Sequence, residues 1–183
     1  MKNIWLASAS PRRKQLLEWC GFEVDVHPSD IDERVRNNEA PIEYALRMAR
    51  EKSVFGPPDR IVLTADTIVH LDDIIYGKPK NRQDAHRILS ELSGAWHTVT
   101  TAVAINGPMH SELFHVDTRV RLRELLDDDI HRYLATGEAD DKAGAYGIQG
   151  AAGAFIAELQ GSWTNVMGLP TERVVQILRG LHS

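Results

Sequence analysis

Cysteine is nearly absent from these 183 residues. Cys20 stands alone, so no internal disulfide can form and a zinc site built on paired cysteines is excluded. None of the eight histidines sits in an HExxH spacing or joins a cysteine pair, so no structural zinc site is expected. Long apolar runs are missing as well. The longest stretch free of Asp, Glu, Lys and Arg, Leu92 to Ser111, holds His97, three threonines, Asn106 and Pro108, which a hydrocarbon core would not accept unpaired. The apolar segment Ile4 to Ala9 is too short for a signal peptide, and the arginines that follow it precede no hydrophobic region, so a cytoplasmic protein is expected. An excess of positive charge is also lacking. With 21 Lys and Arg against 26 Asp and Glu, the net charge of −5 weighs against nucleic-acid binding, and any phosphate ligand should be small and locally held. What is present is 43% hydrophobic residues, enough for a core in a single domain spanning 1–183.

The pattern of elements is mixed. Ile4 to Ala7 reads as a short buried strand, and Ser10-Pro11 opens a helix, with Ser as N-cap and Leu16, Leu17 and Cys20 as its apolar stripe before Gly21. Val24 to Val26 suggests a second strand. Pro41 starts another helix, with Ile42, Ala45, Leu46 and Ala49 at helical spacing. Ile61 to Leu71 is nearly continuously apolar and β-branched, as in a strand buried on both faces, yet Asp66 and Thr67 interrupt its middle. A tight turn at Asp72-Asp73 leads into Ile74 to Tyr76, and Asn81 caps a helix that stops near Gly94. Trp96 to Ile105 and Glu112 to Leu122 form an expected hairpin. A helix over 128–136, a close-packed glycine-spaced loop over 143–157, strands over 155–159 and 163–167, and a terminal helix capped by Thr171 complete the reading. The expected class is α/β with a mixed sheet flanked by helices.

Four constellations carry chemistry. In Ser8-Ala9-Ser10-Pro11-Arg12-Arg13, two arginines occupy a first helical turn, where the backbone already carries positive partial charge. An anion landing there would receive backbone donors and guanidinium forks together; otherwise the arginines simply point into solvent. Asp66 lies among apolar neighbours and needs a partner; a carboxylate held this way suits a general base or a divalent-metal ligand, unless it merely caps a turn. Lys52 falls at the edge of a buried helix face and can reach inward, and Lys78 sits on a proline-fixed Gly-Lys-Pro that aims it at one place, although taken alone either reads as a solvated lysine. Glu33, in an acidic loop, is a weaker candidate. In Asp141 to Gly150 the spacing G-x-x-G-x-x-G fits neither dinucleotide nor P-loop fingerprints, but glycines allow close approach to a flat ligand and Gln149 offers donor and acceptor to a base edge. Trp163 and Tyr146 are read as core.

Six segments, in order, resemble the Maf family of nucleoside triphosphate pyrophosphatases: Leu6 to Arg13, Ala65 to Val69, Gly77-Lys78-Pro79, Leu92-Ser93-Gly94, Asp141 to Gly150 and Gly161 to Pro170. The resemblance implies an elongated mixed sheet similar to that of inosine triphosphate pyrophosphatases, two lobes around a cleft, and metal-dependent hydrolysis of a nucleoside triphosphate to monophosphate and pyrophosphate. It implies Asp66 as proton acceptor, with Ser8, Arg12, Arg13, Glu33, Lys52 and Lys78 at other active-site positions and Arg12, Thr67 and Gln149 linked to substrate choice. The last two segments look like the branch acting on dTTP and UTP rather than on 7-methyl-GTP; a septum-associated nucleotide-binding regulator is the alternative from another class. Mg²⁺ or Mn²⁺ is the expected cofactor, with Glu33 and Asp66 as its ligands, and a homodimer the expected assembly. Thr64 departs from the family's Gly-Ala-Asp, and its side chain either narrows the cleft or faces the core.

Overall fold

A computed structural model describes residues 3–181. The elements are β1 (Ile4–Leu6), α1 (Pro11–Trp19), β2 (Val24–Val26), α2 (Pro41–Ser53), β3 (Ile61–Leu71), β4 (Ile74–Tyr76), α3 (Arg82–Leu92), β5 (Trp96–Gly107), β6 (His110–Leu122), α4 (Asp127–Leu134), β7 (Ile156–Gln160), α5 (Trp163–Met167) and α6 (Thr171–Gly180). One seven-stranded sheet runs in the order β2-β1-β3-β5-β6-β7, with β4 paired to β3. β1 is parallel to both β2 and β3, placing Ile4 beside Val24 and Ile61, whereas β3–β4 and β6–β7 are antiparallel. The sheet is therefore mixed, as expected.

Local chemistry explains most boundaries. α1 stops because Gly21 takes φ +87°, a left-handed conformation in which Phe22 N–H reaches the Leu17 carbonyl and Gly21 N–H that of Glu18. Asn81 Oδ1 accepts from Asp84 N–H at 2.9 Å and caps α3. Pro108-Met109 is too short a connection for anything but an antiparallel hairpin between β5 and β6. Ile61 to Ala65 of β3 are all buried, Asp66 and Thr67 are half-buried, and Ile68 and Val69 are buried again.

Several expectations are corrected. Residues 163–167 are helical, not a strand: Ser162 Oγ accepts from Asn165 N–H at 3.1 Å, a capping contact that turns the chain. Trp163 is 42% exposed rather than core, while Tyr146 is buried. Ser10 holds the cap position of α1 but makes no side-chain cap bond, Pro11 alone setting the start. Thr171 is the first residue of α6 rather than its cap, which is Pro170. The buried face of α2 runs through Tyr44, Ala45, Met48, Ala49 and Lys52, and Ile42 and Leu46 are only half-buried. The 143–157 loop contains two short 3-10 turns, at 143–145 and 151–155.

Two compact units divide the chain: Met1–Asp66, Thr101–Val116 and Gly168–Ser183 form the first, Thr67–Thr100 and Asp117–Met167 the second. The core of the second gathers Ile88, Leu89 and Leu92 of α3, Ile130, Tyr133 and Leu134 of α4, and Val120, Leu122, Tyr146 and Phe155. In the first, Ile4, Leu6, Leu16, Leu17, Met48, Leu63, Ile105, Leu169 and Leu178 are fully buried. Among the described residues no helix is long and apolar enough to cross a membrane.

Candidate active site

The first unit gathers six of the candidate residues into two linked groups. Beyond β1 the chain stays extended, Ala7 N–H bonding the Leu63 carbonyl at 3.0 Å, and so delivers Ser8 just ahead of α1. Arg13 is buried. Its Nη1 donates to Ser8 Oγ at 2.8 Å and its Nε to the Gly168 carbonyl at 2.9 Å. Gly168 has φ +120°, a backbone conformation that a side chain would strain. Burial pushes the Arg13 guanidinium pKa down, Asp66 and Glu33 oppose that, and Arg12 reinforces it. Those directions put the charges of Arg12, Glu33 and Asp66 within reach of Arg13. The first turn of α1 carries no acid to balance its arginines, as the sequence suggested.

Lys52 anchors the second group. From the buried face of α2 its Nζ meets Asp66 Oδ1 at 2.7 Å and Glu33 Oε1 at 2.9 Å. One ammonium thus holds two carboxylates: Asp66 on the rigid strand β3, with a 13% exposed side chain, and Glu33 on a loop, 55% exposed. Lys52 lies deeper than the helix edge expected for it. Thr64 Oγ1 donates to the Ala49 carbonyl at 2.6 Å and is fully buried, so its side chain faces α2 and locks that helix to the strand carrying Asp66.

Sequence reasoning missed the residues that fix the Glu33 loop. Tyr44 Oη donates to the Glu33 carbonyl at 2.9 Å, and burial, followed by the charges of Asp66 and Glu33, pushes this phenol pKa up. Arg47 donates from Nη2 to Glu39 Oε2 at 2.7 Å and to the Arg34 carbonyl at 3.0 Å. Spacing carries a faint signal of this, because Tyr44, Met48 and Lys52 recur every fourth residue on one helix face. Hydrogen bonds from Arg47 hold the Glu39 carboxyl down at about 2, against 4.5 ordinarily. A depressed carboxylate stabilises the fold fully above its unfolded value and loses that contribution as pH falls through the folded one. Between about pH 4.5 and 2 the wild-type melting temperature should therefore fall more steeply than that of Glu39→Gln, which melting curves across that range will check.

Thr67, Lys78 and Gln149 belong to the second unit. Thr67 follows Asp66 on β3, while Lys78 and Gln149 are exposed. The Gly77 carbonyl accepts from Gly144 N–H at 3.2 Å, tying the Gly-Lys-Pro segment to the glycine-spaced stretch that contains Gln149.

Residues 3–181 match the family described as Maf-like protein. The chain belongs to that family. Among Maf-like relatives, the dTTP/UTP pyrophosphatase of Hydrogenovibrio crunogenus is 43% identical over 185 residues, covering 97% of this chain and 95% of its own. That of Anaeromyxobacter dehalogenans is 46% identical over 178 residues, covering 95% and 91%. A solved nucleoside-triphosphatase (dITP/XTP pyrophosphatase) from Mycobacterium abscessus is a more distant likeness, with a TM-score of 0.43 at 14% identity over 98% of this chain and 97% of its own.

Proposed function

We propose that this Maf-like chain, acting as one domain in the cytoplasm, hydrolyses dTTP and UTP to the monophosphate and pyrophosphate. The observation that carries this reading is a strand-borne carboxylate, Asp66, clamped by Lys52 in the same unit as the paired arginines of α1. Water must attack the α-phosphorus while negative charge gathers on the departing pyrophosphate, so the reaction needs one base and several fixed cations. Asp66 takes the water proton. Arg12 and the amino end of α1 hold phosphate oxygens, and Arg13 keeps Ser8 in place. Ser8 Oγ accepts from Arg13 and from Ser10 N–H, which leaves its hydroxyl hydrogen to donate to a phosphate.

Mg²⁺ or Mn²⁺ fits the donors present. Asp66 and Glu33 bring two hard carboxylates together around Lys52 Nζ, and Mg²⁺ commonly binds through one or two carboxylates plus substrate phosphates. Held by these carboxylates beside Lys52, such an ion would neutralise phosphate charge and sharpen the nucleophilicity of water. Thr67, Lys78 and Gln149 are proposed as substrate contacts on the family resemblance and on their chemistry: a hydroxyl, a phosphate-seeking ammonium, and an amide able to read a base edge. The resemblance also supports a homodimer, which sedimentation velocity will check.

The test is pyrophosphate release from dTTP, UTP, CTP and 7-methyl-GTP side by side, with and without Mg²⁺ or Mn²⁺. The expected result is a kcat/KM for dTTP and UTP at least about tenfold above the others, a difference of ~1.4 kcal/mol. Preference for 7-methyl-GTP would overturn the branch, and tight nucleotide binding without turnover in the presence of metal would overturn the enzyme.

A further inference from the structure

On the exposed side of α3 and α4, inside the second unit, three side chains converge that the hydrolytic reaction does not use. His86 Nε2 lies 2.7 Å from Asp127 Oδ1, and His131 Nε2 lies 3.1 Å from Asp127 Oδ2. One donor atom from each of the three falls within 4.8 Å of the others, and the imidazole rings are 5.1 Å apart. Asp127 and His131 are one helical turn apart on α4, so both project from the same face. His86 comes from α3, and the two helices share the core of Ile88, Leu89, Ile130 and Leu134 beneath.

The geometry points to a binding site for a borderline divalent transition metal, Zn²⁺ being the best match, that clips α3 to α4. Two imidazoles and one carboxylate select such an ion over the hard Mg²⁺. Metal–nitrogen bonds of ~2.0–2.1 Å in a tetrahedron place ligand atoms roughly 3.3 Å apart, close to the 2.7 and 3.1 Å that separate the two imidazole nitrogens from the Asp127 oxygens. The three side chains range from 31% to 72% exposed, which leaves a path for the ion and a water for its fourth position.

Two further contacts prepare the ligands. Ser90 Oγ donates its hydrogen to the His86 carbonyl at 2.8 Å, so its 3.4 Å contact with His86 Nδ1 is one in which the ring donates from Nδ1; Nε2, once it gives up its proton, is then the ligand atom for an ion. Arg82 of α3 donates to the His131 carbonyl at 3.3 Å and holds the two helices in register. In the metal-free protein Asp127 takes hydrogen bonds from the imidazoles instead, which keep its carboxyl below the usual range. Metal would replace the shared protons.

Calorimetric titration of ZnCl₂ into the full chain, with millimolar Mg²⁺ present to occupy Asp66 and Glu33, tests this. One equivalent should bind, weakened at least about tenfold in each of His86→Ala, Asp127→Ala and His131→Ala, and unchanged in Asp66→Asn. Cu²⁺ in place of Zn²⁺ should show two imidazole nitrogens in its electron paramagnetic resonance spectrum, a readout that needs no variant. Failure of the wild type to bind Zn²⁺, undiminished binding in His86→Ala/His131→Ala, loss in Asp66→Asn, or a Cu²⁺ spectrum without nitrogen coupling would each overturn the site. Turnover in Mg²⁺ should be the same in wild type and in His86→Ala, so this inference and the proposed activity stand or fall separately.

Discussion

Asp66→Asn should lower kcat for dTTP by roughly 10²–10⁴-fold, the span associated with a lost general base, while the chain stays folded. The isosteric amide keeps the side chain's volume and one oxygen for Lys52, which also retains Glu33 as a partner. No buried charge is stranded, and the melting temperature should move little. What disappears is the capacity to take a proton. Initial rates of pyrophosphate release at saturating nucleotide and Mg²⁺, beside a thermal melt, separate the two effects. A variant within about threefold of wild type would remove Asp66 from the chemistry.

Arg13→Ala should act on stability and binding at once. Its guanidinium is buried and gives hydrogen bonds to Ser8 Oγ and to the Gly168 carbonyl, so truncation leaves a buried carbonyl short of a donor. The expected cost is about 2–3 kcal/mol. For a chain of this size that is a melting temperature lower by roughly 4–12 °C. Ser8 also loses the contact that orients it, so KM for the triphosphate should rise at least about tenfold. Arg13→Lys is the informative companion, because it keeps the charge but not the fork that serves two acceptors. If lysine restored KM, charge alone would be the role of Arg13.

How far the residue pattern could be read depends on where each element finds its partners. β3 was legible to its last residue because a central strand is mostly apolar on both faces, and Asp66 with Thr67 interrupts that run at its middle. Residues 163–167 were misread because Trp163, Val166 and Met167 in a short apolar run suit a strand as well as a helix, and one Ser162 hydroxyl decides between them. On α2 the error had another source. Charged residues at helix positions are ordinarily taken as solvated, yet Arg47 and Lys52 are both buried, because Glu39 and Asp66 meet them from eight and 14 residues away in sequence. No local period contains that information. The Asp66 carboxylate could be picked out since isolation among apolar neighbours is visible along the chain; the identity of the cation answering it was not.

The bond between Arg13 and Gly168 joins residues 155 apart. During synthesis from the amino end, α1 leaves the ribosome long before its carbonyl acceptor exists, whereas everything in Thr67–Thr100 and Asp117–Met167 has been made by the time Gly168 is added. The guanidinium thus waits for its mate until nearly the whole chain has been made. A ribosome stalled before codon 168 yields a chain that holds Lys52, Asp66 and Glu33 but lacks the carbonyl that fixes Arg13.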